Sequence, residues 1–169
     1  MAQEKKWYVI YTKPRWEKKI ALLLTDKEIE HYCPLNKVTK QWSDRKKIVL
    51  EPLFKGYIFV CPNKTDKWDI KKTPGVLNYV HWLGKPALVK ESEIIIIKKF
   101  LHEFNDVEVS DQKEQKLGVK VAVRVKQGLM MNFKGIVIEI IDNKAKVKID
   151  SMGIVLTAIF EKENLERIG

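Results

Sequence analysis

Histidine and cysteine, two side chains that often carry out catalysis, are rare in this sequence. It has three histidines and two cysteines: His31, His81, His102, Cys33 and Cys61. Their spacings match no nucleophile, metal-binding or phosphate-binding motif, and a zinc site built from His31 and Cys33 would lack two ligands. We therefore expect reduced structural cysteines, no catalytic residue, no metal, no cofactor and no enzyme activity.

Cations placed beside an indole offer a different chemistry, which is the recognition of a polyanion. Residues 36–50 predict a hairpin with the arms Lys37–Trp42 and Lys46–Leu50. Its basic side chains and indole suit a nucleic-acid backbone with an occasional stacked base, but cations also protect strand edges from aggregation. Both interpretations stay open. The candidate nucleic-acid contacts in this hairpin are Lys40, Arg45 and Lys46.

The positive charge is concentrated in the amino-terminal part of the chain. The 169 residues carry 32 Lys and Arg against 22 Asp and Glu, a formal charge of +10. Up to Phe104 there are 21 basic against 12 acidic residues, so most of the excess lies there. Such a surface favours a polyanionic partner or an anionic membrane. Because no run approaches the roughly 18 apolar residues of a membrane span, we expect a cytosolic protein without a membrane contact.

The stretch 51–60 is the element around which the first part of the chain is organised. Its last five residues have the composition of a strand, and its alternating apolar side chains lie on both faces. One face holds Phe54, Ile58 and Val60, and the other holds Leu53, Tyr57 and Phe59. Such a strand is either buried between two layers or covered on one face and open for docking on the other.

The elements around this strand are helices and further strands. We predict strands at Trp7–Tyr11, His31–Leu35 and Val76–Trp82, and helices at Trp16–Leu24, from Asp66 to no further than Thr73, and at Glu93–Phe104. Thr12 is the predicted N-cap of the first helix. Its cations, Arg15, Lys18 and Lys19, lie off the apolar stripe, where solvent exposure alone would also explain them.

The sequence changes character after Phe104. Residues 105–116 are almost entirely polar and predict a flexible linker. Beyond them valines and isoleucines alternate in short runs, with Gly128, Gly135 and Gly153 at corners, which predicts a small closed β-barrel.

Several stretches resemble the NusG family. Those similar to its amino-terminal domain are Trp7–Arg15, Glu51–Val60 and Thr73–Val76. The tail is similar to the family's KOW module at Gly118, at 128–135 and at Leu165–Ile168. The resemblance implies an α+β protein, with an antiparallel α/β sandwich at 1–104, a linker at 105–116 and an SH3-like barrel at 117–169.

The resemblance also implies a function, which is to act on transcription elongation by binding RNA polymerase. An apolar hollow would receive the clamp helices of the polymerase β′ subunit, lined here by Tyr11, Leu53, Tyr57, Phe59 and Trp82. A short helix would contact the β subunit through Asp66, Lys67 and Trp68. The cations facing the exposed non-template DNA strand or the upstream duplex would be Lys13, Arg15, Lys18 and Lys19. The KOW barrel would bind Rho or a small-subunit ribosomal protein, and the chain would be a monomer.

Two departures from the family pattern bear on the kind of member this is. Asn132 stands where the KOW loop usually has a second glycine, and asparagine tolerates a positive φ. Lys55 and the basic hairpin of residues 36–50 also differ from a housekeeping sequence. The compact length and the strongly basic first domain resemble those of the specialised UpxY and RfaH-like antiterminators of particular operons. A general NusG factor and a ribosome-associated or RNA-binding KOW protein are the alternatives. Unlike the RfaH tail, which can fold as helices, this tail is predicted to be β throughout.

Overall fold

A computed structural model of the chain describes residues 5–63, 65–111, 121–128, 130–131, 133–151 and 154–168. The helices are α1 (Glu17–Asp26), α2 (Asp66–Lys72) and α3 (Glu91–Glu103). The strands up to α3 are β1 (Lys6–Thr12), β2 (His31–Tyr32), β3 (Leu35–Gln41), β4 (Lys46–Pro52), β5 (Tyr57–Val60), β6 (Val76–Tyr79), β7 (His81–Trp82), β8 (Lys85–Pro86) and β9 (Leu88–Lys90). The later strands are β10 (Glu108–Asp111), β11 (Val121–Val125), β12 (Lys134–Ile141), β13 (Lys144–Ser151), β14 (Ile154–Glu161) and β15 (Leu165–Arg167).

The chain forms two compact units. The amino-terminal unit contains Met1–Leu35 and Pro52–Ile95, and the carboxy-terminal unit contains Asn36–Glu51 and Ile96–Gly169. The hairpin of β3 and β4 and the second half of α3 thus belong with the tail, which differs from the predicted division into 1–104, 105–116 and 117–169. Those boundaries remain a prediction about functional domains.

The amino-terminal unit is built on an antiparallel sheet with the strand order β2-β5-β1-β6, and β9 also pairs with β1. One face of this sheet is closed by the apolar stripes of α1 and α2. There Ile10 and Ile58 of neighbouring strands pack with Ile20, Leu24 and Ile70 of the helices, and all five are fully buried. We call these residues the helix-covered cluster. Their alternation in the strands and their spacing of four in α1 are what the sequence pattern predicts.

Cys33 packs against the helix-covered cluster as a free thiol. Burial raises the pKa of Cys33 to about 11, so the thiol stays protonated at neutral pH. Burial also raises the pKa of Cys61, which is likewise a free cysteine. Neither environment therefore favours a reactive thiolate.

The prediction for Phe54 is wrong. The strand β5 begins only at Tyr57, after a turn in which Gly56 has φ +85° and Tyr57 donates its N–H to the Phe54 carbonyl at 3.3 Å. The turn breaks the two-residue alternation, so Phe54 does not share a face with Ile58. Instead its ring packs edge-on against Phe59, with the ring centroids 5.7 Å apart.

The three predicted helices are present in the structure. The isoleucine-rich segment is helical, as its spacing of three and four predicted, and α3 buries Ile94, Ile97, Phe100 and Leu101. The structure does not bear out Thr12 as the first helical cap. Thr12 belongs to β1, and α1 begins five residues later, at Glu17.

The carboxy-terminal unit contains a six-stranded antiparallel sheet in the order β10-β14-β13-β12-β11-β15. The described part of the tail is β with a single 3-10 turn at Lys162–Asn164, so the predicted β periodicity is confirmed. Gly118, Asn132 and Gly153, named above for the tail, lie outside the described residues.

The predicted linker at 105–116 is wrong for its first half. Glu108–Asp111 forms β10 and pairs with β14 through partners such as Val109 and Leu156. The preceding Val107 is 5% exposed. The two valines of this polar segment therefore have the alternation of a strand, which the surrounding charges concealed.

Among the residues that the structure describes, no helix is long and apolar enough to cross a bilayer. The same residues contain no group of three or more His, Cys, Asp and Glu side chains that could hold a metal ion.

Candidate functional site

Two tyrosines lie side by side on the sheet face opposite the helix-covered cluster. Tyr11 of β1 and Tyr57 of β5 are directly paired across the two strands, and their ring centroids are 5.2 Å apart. Each side chain is 38% exposed. We call them the tyrosine pair. An aromatic surface of this kind can bind an apolar partner while each phenolic hydroxyl stays in water.

The position of the tyrosine pair is fixed by the turn before β5. Gly56 donates its N–H to Oε1 of Glu17 at 2.8 Å and accepts the N–H of Thr12 at 2.9 Å. Glu17 is 4% exposed, so this carboxyl group joins the start of α1 to the turn from a buried position. On the other side of β1, the register with β6 shifts between Tyr11 and Thr12. Such irregularities often redirect side chains beside functional sites.

Phe59, predicted to line the same hollow, is not part of the exposed surface. It is 4% exposed and packs against Phe54 and, in a stacked arrangement at 6.4 Å, against Tyr32. Alternation along β5 correctly places Phe59 on the face of Tyr57, but the aromatic residues from β2 and from the preceding turn cover it. The open part of this face therefore lies at the Tyr57 end of the strand.

Leu53 and Trp82 occupy different environments. Leu53 is half-buried and donates its N–H to the Pro34 carbonyl at 2.9 Å. Trp82 is 71% exposed in the small hairpin formed by β7 and β8, and Leu83 at its tip is 86% exposed. Among the described residues no ring packs on Trp82. The structure therefore brings Tyr11 and Tyr57 together but does not join Trp82 to them.

The three predicted contacts in α2 also differ from one another. Asp66 accepts the N–H of Asn63 at 3.2 Å and so belongs to the helix start. The Lys67 ammonium lies 4.9 Å from the ring centroid of Tyr8. Trp68 is 61% exposed, with the Lys72 ammonium 5.2 Å from its ring. Of the three, Trp68 is the exposed aromatic side chain, the type that most often anchors an interface.

A hydrogen bond anchors α2 to the sheet. The Tyr79 hydroxyl donates to the Lys67 carbonyl at 3.0 Å, and the Tyr79 ring packs edge-on against Tyr8. Burial raises the pKa of Tyr79 to about 12, so the phenol remains a neutral donor at physiological pH.

The cations around α1 are brought together by an indole that the sequence did not single out as their centre. The ammonium groups of Lys13 and Lys19 lie 5.6 and 4.2 Å from the Trp16 ring centroid. Arg15 and Lys18 are also exposed, and Arg15 has φ +67° in the turn before the helix. The spacing of Trp16 and Lys19 by three residues was the available signal.

The cations of the hairpin formed by β3 and β4 are not equivalent. Lys40 forms an ion pair with Glu51 at 2.7 Å, so its charge is compensated within the hairpin. Arg45 and Lys46 are exposed near the tip. Lys47, which was not among the predicted contacts, lies 4.4 Å from the ring centroid of Trp42.

Comparison with known proteins agrees with this architecture. The family model described as "Transcription termination factor nusG" matches residues 5–98. The NusG transcription termination/antitermination protein of Halalkalibacterium halodurans is 30% identical over 162 residues, which are 86% of this chain and 88% of that protein. Its namesake from Bacillus subtilis is 29% identical over 163 residues, with the same coverage. A solved structure of Thermotoga maritima NusG has a TM-score of 0.63 at 23% identity, covering 98% of both chains, and it supports the fold.

The fold defines an α+β protein in which a helix-layered antiparallel sheet is followed by a β unit. The chain belongs to the NusG family. It is therefore a NusG-like transcription termination/antitermination factor.

Proposed function

We propose that this chain is an antitermination factor that binds the clamp helices of the polymerase β′ subunit through the tyrosine pair. One observation carries the proposal: Tyr11 and Tyr57 lie 5.2 Å apart and partly exposed, while the opposite face of the same strands is closed. Leu53 and Trp82 would contact the margins of the bound helices. Phe59 would support the surface from below.

The physical basis is the behaviour of tyrosine at protein interfaces. A tyrosine buries a large apolar area at a small cost in side-chain entropy, and its hydroxyl can still find a polar partner. Interface residues of this type often carry most of the binding energy when they lie at the centre of the contact. Two adjacent rings on a rigid strand pair meet this description.

A second polymerase contact would allow the bound factor to reduce pausing. We propose that α2 contacts the β subunit mainly through Trp68, with Asp66 and Lys67 holding the start of the helix in place. A factor that bridges two sides of the polymerase cleft binds the closed state better than the opened one. By differential affinity it would shift the population away from the paused state.

Nucleic acid would be contacted by the two groups of cations. Lys13, Arg15, Lys18 and Lys19 would face the non-template DNA strand. In the hairpin, Arg45 and Lys46 would contribute more than Lys40, because Glu51 already compensates the charge of Lys40. Such contacts are sequence-independent and weaken with added salt.

The carboxy-terminal unit would act as the KOW module and bind Rho or a small-subunit ribosomal protein. We further propose that the factor is specialised for particular operons, on the basis of its basic hairpin. A general NusG role is the second candidate, favoured by the matches to NusG proteins over 86% of the chain. Transcription of several templates separates the two, because a general factor would affect pausing on all of them.

The polymerase contact is tested by binding to an isolated β′ clamp-helix fragment. Replacing both Tyr11 and Tyr57 with alanine should weaken binding by about 30-fold or more, because two interface anchors that each contribute about 1 kcal/mol or more together contribute about 2 kcal/mol or more. Fluorescence anisotropy of the labelled fragment gives the dissociation constant.

Trp68→Ala is the matched control for this experiment. It removes an exposed aromatic side chain from the proposed β-subunit contact and should leave clamp-helix binding unchanged. Equal affinities for the wild type and the double tyrosine variant would refute the proposed site.

A further inference from the structure

We propose that Trp42 is a base-stacking site for single-stranded nucleic acid. It lies at the tip of the hairpin formed by β3 and β4, which we call the basic hairpin. The inference rests on the nucleic-acid role proposed above for the hairpin cations. It is independent of the polymerase contact through the tyrosine pair.

Trp42 is exposed at the tip of the hairpin. The side chain is 51% exposed, and the whole stretch from Thr39 to Ile48 is exposed around it. The backbone is nevertheless ordered at the tip, since Trp42 donates its N–H to the Arg45 carbonyl at 2.8 Å. An indole held in this way offers a flat surface that every base can stack on, whatever its sequence.

Hydrogen bonds to Asp106 and Val107 anchor the base of the hairpin. The Asn36 amide donates to the Val107 carbonyl at 2.9 Å and accepts the Val107 N–H at 3.1 Å. The Asp106 carboxylate accepts the N–H and the hydroxyl of Thr39 at 2.8 and 3.0 Å, and Asp106 donates its own N–H to the Lys37 carbonyl at 2.8 Å. A platform fixed at its base loses less entropy when a ligand binds at its tip.

The cations of the hairpin differ in whether a carboxylate compensates their charge. Lys40 is paired with Glu51, whereas among the described residues Arg45, Lys46 and Lys47 form no ion pair with a carboxylate. The uncompensated cations are therefore the ones beside Trp42. The Lys47 ammonium lies 4.4 Å from the indole centroid, within reach of a phosphate that follows a stacked base.

Stacking chemistry selects the class of nucleic acid. Bases within a duplex are already stacked on their neighbours, so an indole gains contact only with unpaired bases. The phosphate contacts, in contrast, act on single strands and duplexes alike. We therefore expect Trp42 to create a preference for single strands, and the cations to set the overall affinity.

The experiment measures binding of the full chain to fluorescent oligothymidine, oligouridine and duplex DNA by anisotropy at several salt concentrations. Trp42→Ala should weaken binding to the single strands by about tenfold and leave duplex binding nearly unchanged, because stacking acts on the base alone. Trp42→Phe should restore most of the affinity. The DNA and RNA arms identify which single strand is bound more tightly.

Two further variants make the result specific. Ile48→Ala removes an exposed aliphatic side chain from β4 of the same hairpin, and it should bind as the wild type does because it offers no ring for stacking. Arg45→Gln with Lys46→Gln should lower the salt dependence for single strands by about 0.7 per cation, whereas Trp42→Ala should not change it.

The outcomes separate this inference from the proposed function. If the charge variant weakens binding but Trp42→Ala does not, or if Trp42→Ala affects duplex and single strands alike, the stacking site is refuted alone. If the charge variant binds every nucleic acid as the wild type does, the proposed nucleic-acid role of the hairpin fails as well. A parallel titration with anionic lipid vesicles provides a further test. If Trp42→Ala weakens vesicle binding but leaves oligonucleotide binding unchanged, Trp42 contacts a membrane surface and the inference is overturned.

Discussion

The two faces of the β1–β5 strand pair differ in how far their side chains are buried. On one face Ile10, Ile58 and Val60 are completely buried against the helices. On the other face exposure varies along the strand, from 4% at Phe59 to 38% at Tyr57. The surface available to a partner is therefore one end of a face and not the whole of it. An interface built in this way takes its rigidity from the buried part of the same strands.

The change in exposure between Phe59 and Tyr57 is tested most strongly by Phe59→Ala. If Phe59 belongs to the interior, its removal should lower the free energy of unfolding by about 3–5 kcal/mol, since the cavity cannot be filled easily. Tyr57→Ala, two residues earlier on the same face, should cost under about 1.5 kcal/mol. Urea unfolding followed by circular dichroism measures both values. Similar losses of unfolding free energy in the two variants would show that Phe59 and Tyr57 are equally buried, which would contradict this description.

Gly75 tests how closely the helices cover the other face. A Cβ atom at this position would lie 2.4 Å from the Trp16 ring, and Gly75 has φ +91°. Gly75→Ala should therefore destabilise the fold by about 2 kcal/mol or more, from backbone strain together with displacement of Trp16.

The matched control for that variant is Gly84→Ala. Gly84 has φ +77° but has nothing within 4 Å of its would-be Cβ atom, so only the backbone strain of about 1 kcal/mol applies. Thermal unfolding of both variants gives the comparison. A Gly75 variant no less stable than the Gly84 variant would show that Trp16 is not packed as described.

Glu17 joins the start of α1 to the turn before β5, and its substitution should have the smallest effect on the free energy of unfolding. Glu17→Gln keeps the shape of the side chain but replaces the carboxylate that accepts the Gly56 N–H, so we expect a loss of about 1 kcal/mol. Glu28→Gln, at an exposed position after α1, should be neutral. The two variants are compared by urea unfolding. An unchanged stability in Glu17→Gln would show that the contact between Glu17 and Gly56 does not hold the turn before Tyr57 in place.

Periodicity predicted the secondary structure where one pattern dominated over a whole element. The spacing of Ile97, Phe100 and Leu101 identified α3 as a helix, and alternation in the tail identified its strands. It failed at β10, where two valines among charged residues were too short a signal. It also failed at Phe54, because the turn at Gly56 ends the alternation before β5 begins.

The candidate site was predictable only in part, for a related reason. Alternation assigns Tyr57 and Phe59 to one face, but it does not reveal how far along the strand other segments extend over that face. Tyr32 and Phe54 cover Phe59 from elsewhere in the chain. In the hairpin, the pairing of Lys40 with Glu51 depends on how the two arms meet, which charge counting alone does not reveal.

The central claim is that a polymerase helix pair docks at the exposed tyrosine end of the sheet. It is tested most directly by titrating the isotope-labelled chain with the β′ clamp-helix fragment and following amide chemical shifts. The account predicts the largest shifts at Tyr11, at Tyr57 and at Asn78, which pairs with Tyr11, while Ile20 and Ile70 stay unperturbed. Shifts concentrated on α1 and α2, with none at the tyrosine pair, would contradict it.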